Sequence, residues 1–162
     1  MISLYRAVTI LADAGVEFVI VGGLALTTHG SAYVTKYLDI CFRRTNTNLK
    51  RIADALAPFH PRPRGLVDKL PFVWDWTTLQ HGTNFTFTTE LGDIDLLGEV
   101  LAVGNYEDAI KESVEIDLDG SRVSVLSIEG LIRAKEAAGR EKDKPGLKEL
   151  YALRESLSND QG

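Results

Sequence analysis

Cysteine occurs once in this chain, at Cys41, which excludes an intramolecular disulfide and any cysteine-based metal centre. A lone thiol in an apolar run fits a reducing compartment, so a cytoplasmic location is expected. Histidine is nearly as scarce. His29, His60 and His81 lack metal-ligand spacing, and each is read as structural or surface. A basic excess is missing too: with a net charge of −5 and a pI near 5.2, the chain is not built to track nucleic acid over its whole surface. Local basic patches are left open. No window approaches the roughly 18 apolar residues that a membrane span needs, and the first residues lack a basic segment leading into a long apolar run. A soluble protein with no membrane partner is expected. There is no internal repeat and no low-complexity tract.

What is present suits one compact domain. Of 162 residues, 44% are hydrophobic, enough to bury a core, and the expectation is a single domain over 1–157 with a frayed tail at 158–162. Leu4, Val8, Leu11 and Ala12 recur at helical spacing and stop at Gly15, predicting a helix over about 2–14. Glu17 to Val21 is short and apolar and ends at Gly22-Gly23, a buried strand followed by a short helix over 24–29. Tyr37 to Phe42 alternates, with Leu38, Ile40 and Phe42 on one face and Tyr37, Asp39 and Cys41 on the other.

A helix capped by Asn46 or Asn48 runs through Leu49, Ile52, Ala53 and Leu56, ending at Pro58. Residues 58–76 carry prolines, Gly65 and aromatics without a clear period, and their structure is left open. Asn84 to Thr88 and Gly92 to Leu97 form a hairpin, and Asp119-Gly120 turns a second one between Val114–Leu118 and Arg122–Leu126. A short helix over 106–111 precedes that hairpin. Ser127 caps a helix that Gly139 ends, and a last helix carries Leu147, Leu150, Leu153 and Leu157. The mixture predicts an α+β fold, a mixed sheet flanked by helices with a helical C-terminal segment.

The acids carry the first chemical signal. Asp93 and Asp95 leave the same face of one strand, where two carboxylates repel and raise each other's pKa unless a cation lies between them. Magnesium suits such a pair, since it takes oxygen ligands and is commonly held by one or two carboxylates with waters and substrate phosphates. Asp39, from a neighbouring strand, would complete the set. The plain alternative is that one of the pair is a solvated turn or edge residue. Gly22-Gly23 at a strand-to-helix junction exposes backbone amides toward a phosphate, or serves only the turn. No G-x-G-x-x-G and no Gly-Lys-Ser/Thr loop is present.

Trp74 and Trp76 either stack a base or fill core with Phe72. Arg43, Arg44, Lys50, Arg51, Arg62 and Arg64 either line a path for a polyanion or form a solvated face. The basic run from Lys135 to Lys148 is interleaved with acids that pair along a helix surface equally well.

Taken together, Val21-Gly22-Gly23-Leu24-Ala25 with His29-Gly30-Ser31, then Thr35 to Ile40, then Gly92-Asp93-Ile94-Asp95-Leu96-Leu97-Gly98 resembles the minimal nucleotidyltransferase superfamily, notably its small prokaryotic abortive-infection and toxin–antitoxin members. The likeness spans roughly residues 15–155 and extends to Leu131-Ile132-Arg133-Ala134-Lys135 and Arg140-Glu141-Lys142-Asp143. It implies that Gly22 and Gly23 cradle a triphosphate, that Asp39 is the second acid of a metal-binding D-x-D pair, and that Asp95, or else Asp93, acts on the attacking hydroxyl. Lys135 and Lys142 match basic positions that contact phosphate, with Asp143 beside them. Tyr37 stands where the first acid belongs.

The implied activity is magnesium-dependent transfer of a nucleoside monophosphate from a triphosphate to a hydroxyl on RNA, protein or a small molecule. Loss of a metal ligand is expected to impair it. A second reading is a non-catalytic interaction protein of a toxin–antitoxin-like pair, with a cognate toxin or antitoxin as partner. A hydrolase using Asp93 and Asp95 ranks last, because neighbouring acids on one strand lack the opposed placement that glycosidic cleavage needs.

Overall fold

The computed structural model describes residues 4–31, 35–67 and 70–161. The expected helical residues 2 and 3, and Gly162 of the expected tail, lie outside them. Seven strands make one sheet: β1 Phe18–Val21, β2 Tyr37–Phe42, β3 Arg62–Pro63, β4 Asn84–Thr89, β5 Gly92–Leu97, β6 Ser113–Leu118 and β7 Ser121–Leu126. Their order across the sheet is β3-β4-β5-β2-β1-β7-β6. The helices are α1 Leu4–Asp13, α2 Gly23–Thr28, α3 Asn46–Leu56, α4 Trp76–Gln80, α5 Tyr106–Lys111, α6 Ile128–Ala138 and α7 Lys144–Gln161. The result is an α+β fold, a mixed sheet flanked by helices.

The sheet is mixed because two pairings join distant strands. β1 runs antiparallel to β2 and parallel to β7, while β2 runs parallel to β5. The outer pairs β4–β5 and β6–β7 are the two expected hairpins. Asp119 (φ 51°) and Gly120 (φ 90°) both occupy the left-handed region, which a two-residue turn of this twist requires and which Asp and Gly tolerate best.

The alternation on β2 sorts its residues as expected. Leu38, Ile40 and Phe42 are fully buried in the core with Ile20, Ile94 and Leu96, whereas Tyr37 on the opposite face is 43% exposed. Helices α1 and α3 complete the core through Val8, Leu11, Leu49, Ile52 and Leu56.

One cap differs from expectation. Thr45 caps α3, accepting a hydrogen bond from the Asn48 amide, and Asn48 is buried. Its side chain donates to the carbonyls of Glu17 and Arg43 and accepts from the Glu17 amide, so it ties the ends of β1 and β2 together.

The segment left open by the sequence is held by its aromatics. Trp74 meets Phe87 edge-on with centroids 5.1 Å apart and donates to the Ala53 carbonyl at 2.8 Å. Asp75 caps α4, and Lys50 lies 4.8 Å over the Trp76 ring. Both tryptophans are structural here, not exposed stacking platforms.

Candidate functional site

A cleft of about 670 Å³ opens at the end of β1 where β2, β5 and α6 meet. Gly22, Gly23, Tyr37, Asp39, Asp95, Lys135 and Lys142 all line it, together with Arg64, Arg140 and Asp143. Parallel pairing of β2 with β5 sets Asp39 beside Asp95 and Tyr37 beside Asp93. The second acid of the expected D-x-D pair and the late acid therefore share one face. Asp93 reaches that face but is not part of the cleft lining.

The approach of Asp39 to the β1–α2 junction explains Gly22. A Cβ placed there would lie 2.0 Å from Asp39 Oδ2, and the φ of 76° is one that L side chains rarely adopt. Gly22 is thus required by the neighbouring acid and by the turn itself.

Asp39 is half-buried, and its burial raises its pKa first; the hydrogen bond and charge of Asp95 add to that rise, against the pull of Lys135 and Arg64. The carboxyl moves from 3.8 to about 7. Near neutrality the Asp39 carboxyl is therefore close to half protonated, as burial beside a second carboxylate favours.

The opposite wall is cationic and rigidly placed. Asp143 is only 4% exposed, receives Arg140 through both carboxylate oxygens at 2.6 and 3.2 Å, and receives Lys135 Nζ at 3.4 Å. Burial opposes ionisation of Asp143, but the Arg140 hydrogen bonds and the Lys135 charge outweigh it and hold its pKa below the usual value. The capped start of α6 at Ser127 and its left-handed end at Gly139 fix the span that carries Lys135.

Arg64, expected only as one of six basic residues along a polyanion path or a solvated face, pairs with the acids of the cleft. It donates through Nη2 to Asp95 Oδ1 at 2.6 Å, stands 3.5 Å from Asp93 Oδ2, and lies 4.9 Å from the centre of the Tyr37 ring. It sits just past a two-residue strand in a segment punctuated by proline and glycine, where no periodicity gives a facing direction. Other basic residues of that set have structural uses: Arg43 pairs with Glu17 and Glu107, Arg44 donates to the carbonyls of Gln80 and Gly82, and Arg51 donates to the Gly15 carbonyl. Among the histidines, His29 bonds the Leu126 carbonyl at 2.8 Å and His60 pairs with Glu90.

The donor set falls short of a magnesium site as it stands. Tyr37 offers a phenol in place of a carboxylate, Asp95 is already committed to Arg64, and among the described residues no three His, Cys, Asp or Glu side chains are placed to hold a metal.

The same fold occurs in a solved structure. A Thermotoga maritima protein provisionally assigned as a nucleotidyltransferase, solved by crystallography at 1.87 Å, matches this chain with a TM-score of 0.51. The match covers 98% of this chain and 96% of that chain at 16% identity, a likeness of fold. No family model and no curated protein sequence matches the chain.

Proposed function

We propose that the cleft binds a nucleoside triphosphate, and that this chain derives from nucleotidyltransferases that pass a nucleoside monophosphate to a hydroxyl. The observation that carries this reading is convergence. Gly22 and Gly23, the Asp39–Asp95 pair, and Lys135 with Lys142 come from four separate stretches of sequence and line one cleft in a fold of that type. Lys135 and Lys142 supply positive charge for phosphate oxygens, and Asp143 fixes Lys135 so that little side-chain freedom is lost on binding. In such chemistry Asp95, beside Asp39, would take a proton from an acceptor hydroxyl.

Magnesium would ordinarily neutralise and orient the phosphates in such chemistry. With Tyr37 in place of an acid, transfer is expected to be weak or lost while nucleotide binding persists. The engagement of Asp95 by Arg64 favours the second reading in one respect, binding without turnover.

The test is binding and transfer measured with radiolabelled nucleoside triphosphates and magnesium, for the wild-type chain, Tyr37→Asp and Asp39→Ala. Binding by the wild type, with transfer gained in Tyr37→Asp and absent from Asp39→Ala, supports the catalytic ancestry. Nucleotide bound by none of the three proteins would sink the reading.

A further inference from the structure

The acidic face of the cleft carries a cation of the chain's own. The backbone places it there. β3 pairs with β4 through Arg62 and Thr88, then Pro63 and Phe87, and the Arg64 amide continues the ladder to the Thr86 carbonyl at 2.9 Å. Thr86 is opposite Asp95, and Asp95 is opposite Asp39, so Arg64, Thr86, Asp95 and Asp39 form one row across four strands. In the next row Thr88, Asp93 and Tyr37 follow one another. The guanidinium spans both rows. It binds Asp95 at 2.6 Å, stands 3.5 Å from Asp93, donates to the Phe87 carbonyl at 3.3 Å and lies over the Tyr37 ring.

Tyr37 is therefore more than a missing ligand. An aromatic face attracts a guanidinium, and an aspartate at position 37 would put a third carboxylate beside Asp39 and Asp93. Arginine stays charged at any physiological pH and its planar fork suits a carboxylate, so it offsets one of these negative charges without recruiting anything from solution. A divalent ion approaching Asp95 meets a fixed positive charge already in contact with it.

Building on the nucleotide-binding reading, we propose that Arg64 seated on Tyr37 occupies the place of a divalent cation in this cleft, paired with Asp95 and close to Asp93, so that the site takes a triphosphate-bearing ligand free of metal. The positive wall of Lys135 and Lys142 then meets the phosphates directly, and no bridging ion between phosphate and Asp95 is required.

Manganese, a paramagnetic stand-in for magnesium, tests the cation assignment on the protein alone. Free and bound Mn2+ are measured by electron paramagnetic resonance for the wild type, Arg64→Gln, Arg64→Lys and Arg64→Gln/Asp95→Asn, with circular dichroism and melting curves to show that each variant is folded. The wild type and Arg64→Lys should leave Mn2+ unbound up to millimolar concentration. Arg64→Gln should gain at least tenfold in affinity, and the added Asp95→Asn should remove that gain. Manganese bound as tightly by the wild type as by Arg64→Gln overturns the assignment, as does Arg64→Lys binding like Arg64→Gln.

In parallel, calorimetry follows inorganic triphosphate in EDTA and in magnesium chloride. Affinities within about twofold are expected, and binding that appears only with magnesium overturns the metal-free claim. Triphosphate bound in neither buffer retires the nucleotide reading, while the manganese comparison still decides the role of Arg64.

Discussion

Gly22 and Asp39 are mutually dependent. Any side chain at position 22 collides with the carboxylate and adopts an unfavourable φ, so Gly22→Ala is expected to destabilise the protein by about 2 kcal/mol. In an Asp39→Ala background the clash with the carboxylate is removed while the Cβ contact at 2.9 Å and the backbone strain remain, so the same substitution should cost less; a double-mutant cycle in urea measures the difference. The raised pKa of Asp39 has a definite sign. The native state holds a proton that the unfolded chain releases near pH 4, so stability should fall as pH rises from about 4 to about 7 and level off above that. Asp39→Asn should flatten that window, which denaturant midpoints collected across the range will show. Asp143 behaves oppositely: its stabilisation is present above the ordinary carboxylate range and is lost as pH falls through its lowered native value. Asp39 and Asp143 were visible as candidates because their neighbours in sequence form motifs. Arg64 was visible only as one of six basic residues, and its contact with the acids was hidden, since its partners Asp95, Asp93 and Tyr37 come from strands remote in sequence.

At the level of elements, the signals that worked were local ones. The Asp119-Gly120 turn, the Ser127 cap and the Gly139 stop each act within a few residues, and all appear where the sequence placed them. The α3 cap did not, because Asn48 has a tertiary use in joining the ends of β1 and β2 that outweighs its capping preference. The order of strands was likewise hidden: nothing in a single strand states that β2 lies between β1 and β5, yet that placement puts Asp39 next to Asp95. The α6–α7 pair holds the cationic wall through Asp143. Asp143→Asn should cost about 3 kcal/mol, the range for removing one partner of a buried ion pair, and should weaken triphosphate binding at the same time. A variant that is destabilised yet binds triphosphate unchanged would separate the two roles.

Across the whole molecule, one sheet joins every segment that contributes to the cleft, so unfolding is expected to be a single cooperative transition. Trp74 and Trp76 sit beside α3 and β4, toward one edge of the sheet, and their fluorescence reports that side, while far-ultraviolet circular dichroism reports all of it. Coincident denaturation curves support one unit, and an early fluorescence change would show the β3–β4 edge opening separately. A ligand that binds only the folded state raises stability by about 2.7 kcal/mol at a hundredfold excess over its dissociation constant, so inorganic triphosphate should raise the melting temperature of the wild-type protein.

The cleft draws on residues from positions 22 to 143, and that order has a consequence during synthesis. Gly22 and Asp39 leave the ribosome first, Arg64 follows, and only then do Asp93 and Asp95 appear, so a counter-charge for the late acids is already waiting when they emerge. The wall of Lys135, Arg140 and Lys142 comes last. The acids and their arginine are therefore made before α6, and the cationic side of the cleft is completed only after it.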